Sequence, residues 1–301
     1  PRGTDMNAQL ASFHAATPSQ DAPTVPSAAR PRPVVFRTSG TRRGPITRLM
    51  SPGDLGQLVK PFVFLDLFTV KPTVGGAPMG MHPHSGIATL TYLMEGEVGY
   101  EDSTGKHGTL PTGGVEWMRA GNGVWHDGMP VGGASAVGFQ LWVALPAAEE
   151  NAPAQSLYLS PEQVPSVGPA RVLLGRYGQA QSLIPAPADM TYLRVQLADG
   201  ERWRYVPPAG HDVAWIAVHG GQLEAAETIA SGHMAVFKDG EQAIEVTAVG
   251  PTTFVLGSAV KHPHDLVMGH YSVHTNAASL AQGEAEIRRI GAQLRSQGRL
   301  G

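Results

Sequence analysis

Short apolar runs alternate with turn residues along most of the chain. From Val34 onward the runs recur about every 8–12 residues, which is typical of an all-β sandwich or barrel. Residues 61–70 form the first strong run, and because it is continuous and rich in aromatic side chains it predicts a buried strand. Further strands are predicted at 87–94, 98–101, 115–118, 136–145, 192–197, 213–218, 234–237, 244–249 and 253–257. The 37 glycines and 25 prolines supply the turns, and they argue against a helical bundle.

A faint internal duplication divides these runs into two halves. An offset of 125 residues aligns the turn at 96–98 with the turn at 221–223, and it also aligns Leu90 with Trp215. Self-similarity at a fixed offset indicates a repeated structural unit. We therefore predict two antiparallel β-barrels of similar topology.

The regions outside the barrels are predicted from composition and capping signals. Pro1 to Asp5 precede Met6 and are interpreted as residues left by cloning, and the Ala-, Pro- and Ser-rich stretch after them has little to bury. Asn276 is suited to cap a C-terminal helix, whose apolar face would consist of Leu280, Ile287, Ile290 and Leu294. The predicted organisation is a cloning remnant and extended arm at 1–33, an N-terminal barrel at 34–146, a linker with a short helix or two at 147–169, a C-terminal barrel at 170–258 and an extension with a helix at 259–301.

Composition and charge exclude several classes of function. The net charge is −3 and no cluster of basic residues is present, so direct nucleic-acid binding is not expected. The chain has no cysteine, which excludes disulfides, thiolate metal sites and cysteine nucleophiles. It also has no run of eighteen apolar residues, so no membrane association is expected. The lack of cysteine and of a signal peptide predicts a cytoplasmic location.

The sharpest chemical signal is a histidine pair, His82 and His84. In an extended segment residues i and i+2 point to the same side, so both imidazoles could reach one divalent ion. The best candidate for a third ligand is His126, about one hairpin further along the chain. The alternative is that the pair is polar surface.

Several motifs in this region resemble those of the pirin family, in the same order and with the same spacing. They are residues 82–86, 91–97 and 116–121, then His126 with 129–130, flanked by 61–68, 138–143 and 269–276. The resemblance implies a bicupin with a single metal, usually iron, in the N-terminal barrel. It also implies that His82, His84 and His126 are the three histidine ligands. Fe(II) is therefore expected first, although imidazoles also suit nickel, copper, zinc or manganese.

The chain departs from the family pattern at two positions. Gly128 stands where the family has a fourth, glutamate ligand, and Ala88 stands where a further glutamate is common. Both changes are expected to remove negative charge from the pocket. Either the site is a three-histidine variant with an extra open coordination position, or it is losing its metal; we favour the first because all three histidines remain.

Other polar residues near the motifs and elsewhere have less specific interpretations. Glu116 is a candidate general base beside the metal, and the alternative is that it faces water while Trp117 and Met118 fill the barrel wall. Four methionines around the motifs would suit an apolar pocket: Met81, Met94, Met118 and Met129. The remaining histidines are expected to have surface or packing roles, including the second His-Pro-His string at 262–264.

Two functions share this pocket, and a third uses no metal. The first is a metal-dependent dioxygenase resembling the quercetin 2,3-dioxygenase activity of pirin-like proteins, with a flavonol or related aromatic enol as substrate. The second is a non-enzymatic, metal- or redox-responsive regulator that binds a protein partner. The third is a metal-free structural bicupin. The motifs alone do not separate them.

Overall fold

The computed structural model describes residues 30–72 and 80–300. The predicted cloning remnant, and the predicted arm as far as residue 29, lie outside the described residues. The first half contains the short helix α1 (Gly56–Val59) and the strands β1 (Val34–Thr38), β2 (Thr41–Arg43), β3 (Ile46–Met50), β4 (Phe62–Val70), β5 (His82–His84), β6 (Ile87–Glu95), β7 (Glu97–Asp102), β8 (His107–Leu110), β9 (Val115–Arg119), β10 (Val124–Val131), β11 (Ala136–Ala144) and β12 (Gln155–Leu159).

The second half begins with a 3-10 helix (Pro161–Gln163) and closes with a helix of 20 residues. Its elements are β13 (Ser166–Val167), β14 (Ala170–Leu174), β15 (Arg176–Tyr177), β16 (Ala180–Gln181), β17 (Met190–Leu197), β18 (Arg202–Tyr205), β19 (Val213–His219), β20 (Gln222–Glu224), β21 (Thr228–Ala230), β22 (Met234–Phe237), β23 (Ile244–Val249), β24 (Thr252–Ala259), β25 (Val267–Gly269), β26 (Ser272–His274) and α2 (Ala277–Ser296).

The two halves repeat one arrangement of antiparallel sheets. In the first, a seven-stranded sheet of order β12-β9-β6-β11-β4-β3-β2 accompanies a four-stranded sheet of order β5-β10-β7-β8. In the second, the corresponding orders are β1-β22-β19-β24-β17-β14-β13 and β18-β23-β20-β21. The duplicated turns also correspond, because Gly96 and Gly221 both have positive φ, at 77° and 79°, and lie against a neighbouring backbone where a Cβ would not fit. The predicted all-β bicupin class is confirmed.

Two strands lie outside the predicted limits of their domains. Strand β1 pairs with β22 and so extends the C-terminal sheet, although it was assigned to the N-terminal barrel. Strand β12 lies within the expected linker at 147–169 and pairs with β9 of the N-terminal sheet. Only Ser156 and Leu159 of its five residues are buried, so the strand has no alternating apolar pattern that the sequence could reveal.

A continuous apolar cluster joins the two seven-stranded sheets. It contains Leu141 and Phe139 from the first sheet and Tyr192 and Val255 from the second. Between the sheets the ring of Phe62 meets the face of Trp215 edge-on, with centroids 5.5 Å apart. Burial of this surface makes the two halves one cooperative core.

Replacing Phe62 with alanine is expected to destabilise the protein by about 3–5 kcal/mol, because a fully buried aromatic ring is removed and a cavity remains. Guanidinium chloride unfolding measures the change. Phe36→Ala is the matched control, since Phe36 is 51% exposed and its loss should cost about 0.5 kcal/mol or less. An equal loss of unfolding free energy in the two variants would contradict the assignment of Phe62 to this core.

The C-terminal extension packs on the N-terminal half. As predicted, Asn276 caps α2, with its side chain accepting a hydrogen bond of 2.8 Å from the backbone N–H of Ser279. On the helix face Gly291 lies against the indole of Trp125, whose Nε1 donates to the carbonyl of Ile287 at 2.9 Å. The β25–β26 hairpin precedes the helix, and its turn carries Tyr271 at φ 54°. Over the described ranges, no helix has the length and apolar character needed to cross a membrane.

Candidate metal centre

Two neighbouring strands bring the three histidines together. Strand β5 pairs antiparallel with β10, and in this register His126 lies directly opposite His82. His84 is two positions further along β5, so its side chain points to the same side. One ring nitrogen from each residue lies within 4.8 Å of the other two. In the part of the chain that the structure describes, this is the one such group of histidine and acidic side chains.

The hydrogen bonds of the three rings determine which nitrogen carries the proton. The Nδ1 atoms of His82 and His84 lie 2.9 Å and 2.8 Å from the backbone carbonyl oxygens of Gly80 and Tyr271. The Nδ1 of His126 lies 3.0 Å from a carboxylate oxygen of Glu116. Carbonyl and carboxylate oxygens only accept hydrogen bonds, so each Nδ1 must donate. In the neutral ring each Nε2 then keeps a lone pair.

These lone pairs fit a metal ion. The Nε2 atoms of His84 and His126 are 3.0 Å apart, and when both rings are neutral with the proton on Nδ1 no hydrogen lies between these two atoms. Burial, with a contribution from His126, lowers the pKa of His82 to about 4, and burial also lowers the pKa of His84 well below its usual value. Both rings are thus neutral at pH 7, as metal ligands must be. Outer partners that fix the tautomer in this way are typical of metal-bound histidines.

Glu116 is part of this arrangement rather than of the surface. It is 6% exposed, and its Oε1 accepts the hydrogen bond from His126. The alternative that Glu116 faces water is therefore wrong, although Trp117 and Met118 are buried as expected. A buried carboxylate beside a ligand histidine supplies negative charge close to the position of a cation.

A cavity of about 110 Å³ opens beside the histidines. Its lining includes His82, His126 and Glu116, together with the apolar side chains of Ile46, Phe68, Val70, Val98, Met129, Pro130 and Ala136. Of the four methionines expected here, Met129 alone is among these lining residues. The cavity suits a flat apolar ligand, because mostly apolar walls with a few polar groups are typical of small-molecule sites.

The seven-stranded sheet supplies a set of polar residues to the cavity, and Glu116 alone among them was a candidate from the sequence. We call Glu116, Thr91, Gln140 and Asp66 the polar row; all four line the cavity. They lie side by side on β9, β6, β11 and β4, each directly opposite the next. The signal in the sequence for Asp66 was one charged residue within an apolar strand, since Asp66 is the one charged residue in 62–70.

The two departures from the family pattern have different surroundings. Gly128 lines the cavity, is two residues from His126 on the same strand, and has a φ outside the left-handed range. A Cβ at this position would lie 3.1 Å from Cγ1 of Val98, so a side chain requires only a small shift. Ala88 is fully buried in the cluster between the large sheets. The expectation that the change at Ala88 removes charge from the pocket is therefore wrong.

Two further histidines, His211 and His274, make structural contacts. His211 is buried and bonds to Ser258 Oγ at 2.8 Å and Asp189 Oδ1 at 2.9 Å. His274 bonds to Glu150 and to the hydroxyl of Ser85, the residue after His84. This contact and the carbonyl of Tyr271 attach the C-terminal extension to the histidine cluster. The part played by the extension was not predicted beyond a structural role.

Comparisons with known proteins give a consistent result. The family model described as Pirin matches residues 44–143. A Pseudomonas aeruginosa protein named "putative quercetin 2,3-dioxygenase" is 36% identical over 236 residues, which cover 72% of this chain and 82% of the relative.

Two solved structures have a similar fold. The crystal structure of quercetin 2,3-dioxygenase from Acinetobacter baumannii matches with a TM-score of 0.79 and 23% identity, covering 86% of this chain and 97% of that one. The bacterial pirin YhhW from Escherichia coli, in complex with nickel(II), matches with a TM-score of 0.62 and 20% identity, covering 77% and 98%.

Proposed function

The chain belongs to the pirin family, and we propose that it is a metal-dependent dioxygenase that acts on a flavonol or a related aromatic enol. The observation that carries the proposal is the convergence of three Nε2 lone pairs beside an apolar cavity. The names of the Pseudomonas relative and the Acinetobacter neighbour support this reaction class.

In this proposal His82, His84 and His126 hold one divalent ion. Fe(II) is the first candidate, because the family resemblance implies iron and a redox-active ion can exchange electrons with dioxygen. The nickel(II) complex of YhhW supports a divalent metal in a protein of this fold, and copper, zinc and manganese also suit three imidazoles. A bound ion would supply Lewis acidity, and a redox-active ion such as iron would supply electron transfer as well.

The protein's own residues bind and orient the substrate. The apolar walls around Phe68 and Val98 contact the ring faces and exclude water from the site. Glu116 Oε1 is held by His126, whereas Oε2 makes no hydrogen bond to another residue in 30–72 or 80–300. We assign Glu116 as the group that accepts the proton of the substrate hydroxyl, because a general base must lie within the pocket and have a free oxygen.

The experiment is turnover of quercetin under air by protein loaded separately with each of the five metals, with and without a chelator. We expect loss of flavonol absorbance that depends on the metal and is abolished by the chelator. Protein carrying His126→Ala is the control for adventitious metal in solution. Absence of turnover with every metal, in protein shown to contain one ion per chain, would overturn the proposal.

Replacing Glu116 with glutamine separates its charge from its hydrogen bond. The amide oxygen can still accept from His126 Nδ1, but it is a very weak base and carries no charge. We expect metal affinity to fall about 10–100-fold, as for other partners of ligand histidines, and turnover of metal-saturated protein to fall about 10²–10⁴-fold. Metal titration and saturated turnover measure the two effects. Unchanged turnover at full metal loading would exclude Glu116 as the base.

A further inference from the structure

The polar row crosses the cavity wall of the seven-stranded sheet in a straight line. Glu116 lies opposite Thr91, Thr91 opposite Gln140, and Gln140 opposite Asp66. Neighbouring strands are about 4.8 Å apart, so the row spans about 14 Å from the first carboxylate to the last. This is the length scale of a three-ring aromatic molecule. One end of the row contacts the histidine cluster through the bond between Glu116 and His126.

The two ends of the row are bonded, but the middle is not. Glu116 accepts from His126, and Asp66 accepts from Nε and Nη2 of Arg48 at 2.9 Å and 3.1 Å. The side chains of Thr91 and Gln140 make no hydrogen bond to any other residue that the structure describes. Thr91 is 8% exposed, and buried polar groups in proteins are normally hydrogen-bonded. The hydroxyl and the amide are thus available to a ligand in the cavity.

The charges of the row restrict the ligand further. Two carboxylates, Glu116 and Asp66, line the cavity, whereas the Arg48 guanidinium that neutralises Asp66 is not among the lining residues. A negatively charged substituent placed along the row would be repelled and poorly solvated. A phenolic hydroxyl is neutral and can both donate and accept a hydrogen bond. It therefore matches the hydroxyl of Thr91 and the amide of Gln140, which can do the same.

We propose that Thr91 and Gln140 form a recognition subsite for uncharged phenolic hydroxyl groups on the part of the substrate remote from the metal. This inference rests on the proposed function and narrows it: the preferred ligand is a flat aromatic enol that carries further hydroxyl groups. Thr91 and Gln140 are specificity-determining residues in this assignment, and Glu116 remains the group beside the reacting atoms.

The test is anaerobic titration of Fe(II)-loaded protein with two flavonols, so that binding is measured without turnover. Quercetin carries hydroxyl groups on its outer rings, whereas 3-hydroxyflavone has the same enol and lacks them. We expect quercetin to bind at least about tenfold more tightly, which corresponds to one or two added hydrogen bonds. Thr91→Val and Gln140→Met should each reduce quercetin affinity about tenfold and leave the affinity for 3-hydroxyflavone unchanged.

Thr89→Val is the matched control variant. Thr89 lies on the same strand two residues before Thr91 and is buried, but it is not among the cavity-lining residues, so neither affinity should change. Metal content and thermal unfolding verify that each variant is loaded and folded. Equal affinity for the two flavonols would overturn the proposed subsite and leave the proposed function intact. The same conclusion would follow if the variants lost equal affinity for both flavonols. Failure of both flavonols to bind the loaded wild type would overturn the proposed function itself.

Discussion

Protein carrying His84→Ala is expected to lose most of its metal, whereas His264→Ala is expected to keep it all. His84 is 1% exposed, and its Nε2 lies 3.0 Å from that of His126. Its removal leaves two imidazoles. Loss of a partner outside the ligand set costs about 10–100-fold in metal affinity, so loss of a ligand should cost at least about 100-fold.

His264 is a matched control because it lies in a second His-Pro-His string. The rings of His262 and His264 are 5.5 Å apart and no third ligand joins them among the described residues. Elemental analysis of protein purified without a histidine tag measures the metal content. Equal loss from the two substitutions would show that the metal lies elsewhere.

Gly128→Glu is expected to raise the affinity for a divalent ion. The new side chain would lie on the same side of β10 as His126 and would add both a bond and a negative charge. The metal affinity should rise at least about tenfold. This is the smallest effect that is typical of residues that hydrogen-bond to metal ligands, and a direct ligand should have no smaller effect. Turnover should fall, because a coordination position needed for substrate or dioxygen becomes filled.

Gly128→Gln is the control for the size of the new side chain. Both variants must displace Val98 slightly, and only the glutamate adds charge. Titration of the metal-free protein with Ni²⁺ compares their affinities, and thermal unfolding compares their stabilities. Unchanged or weaker metal binding by the glutamate variant, with a lowered Tm, would show that the backbone at position 128 requires glycine. That result would contradict the three-histidine site with an open coordination position.

The sequence was most informative where the physical signal is local. The buried strand at 62–70 and the cap at Asn276 depend on residues close together in the chain, and both were predicted. The histidine pair was found because its spacing of two is a property of one strand. The polar row was missed apart from Glu116, because Asp66 and Gln140 become neighbours only through a pairing between strands that are distant in the sequence. Strand β12 was missed for a related reason, since its partner β9 rather than its own composition makes it a strand.

The carbonyl of Tyr271 that holds the His84 ring also determines when the site can form. On the ribosome, His84 emerges long before Tyr271, which lies 187 residues further along the chain. At about 5–20 residues per second, roughly 10–40 s of synthesis separate the two. Once His126 has also emerged, 42 residues after His84, the nascent chain has all three imidazoles but not the contact that fixes the tautomer of His84. We therefore expect tight metal binding at the proposed site only after Tyr271 has been synthesised.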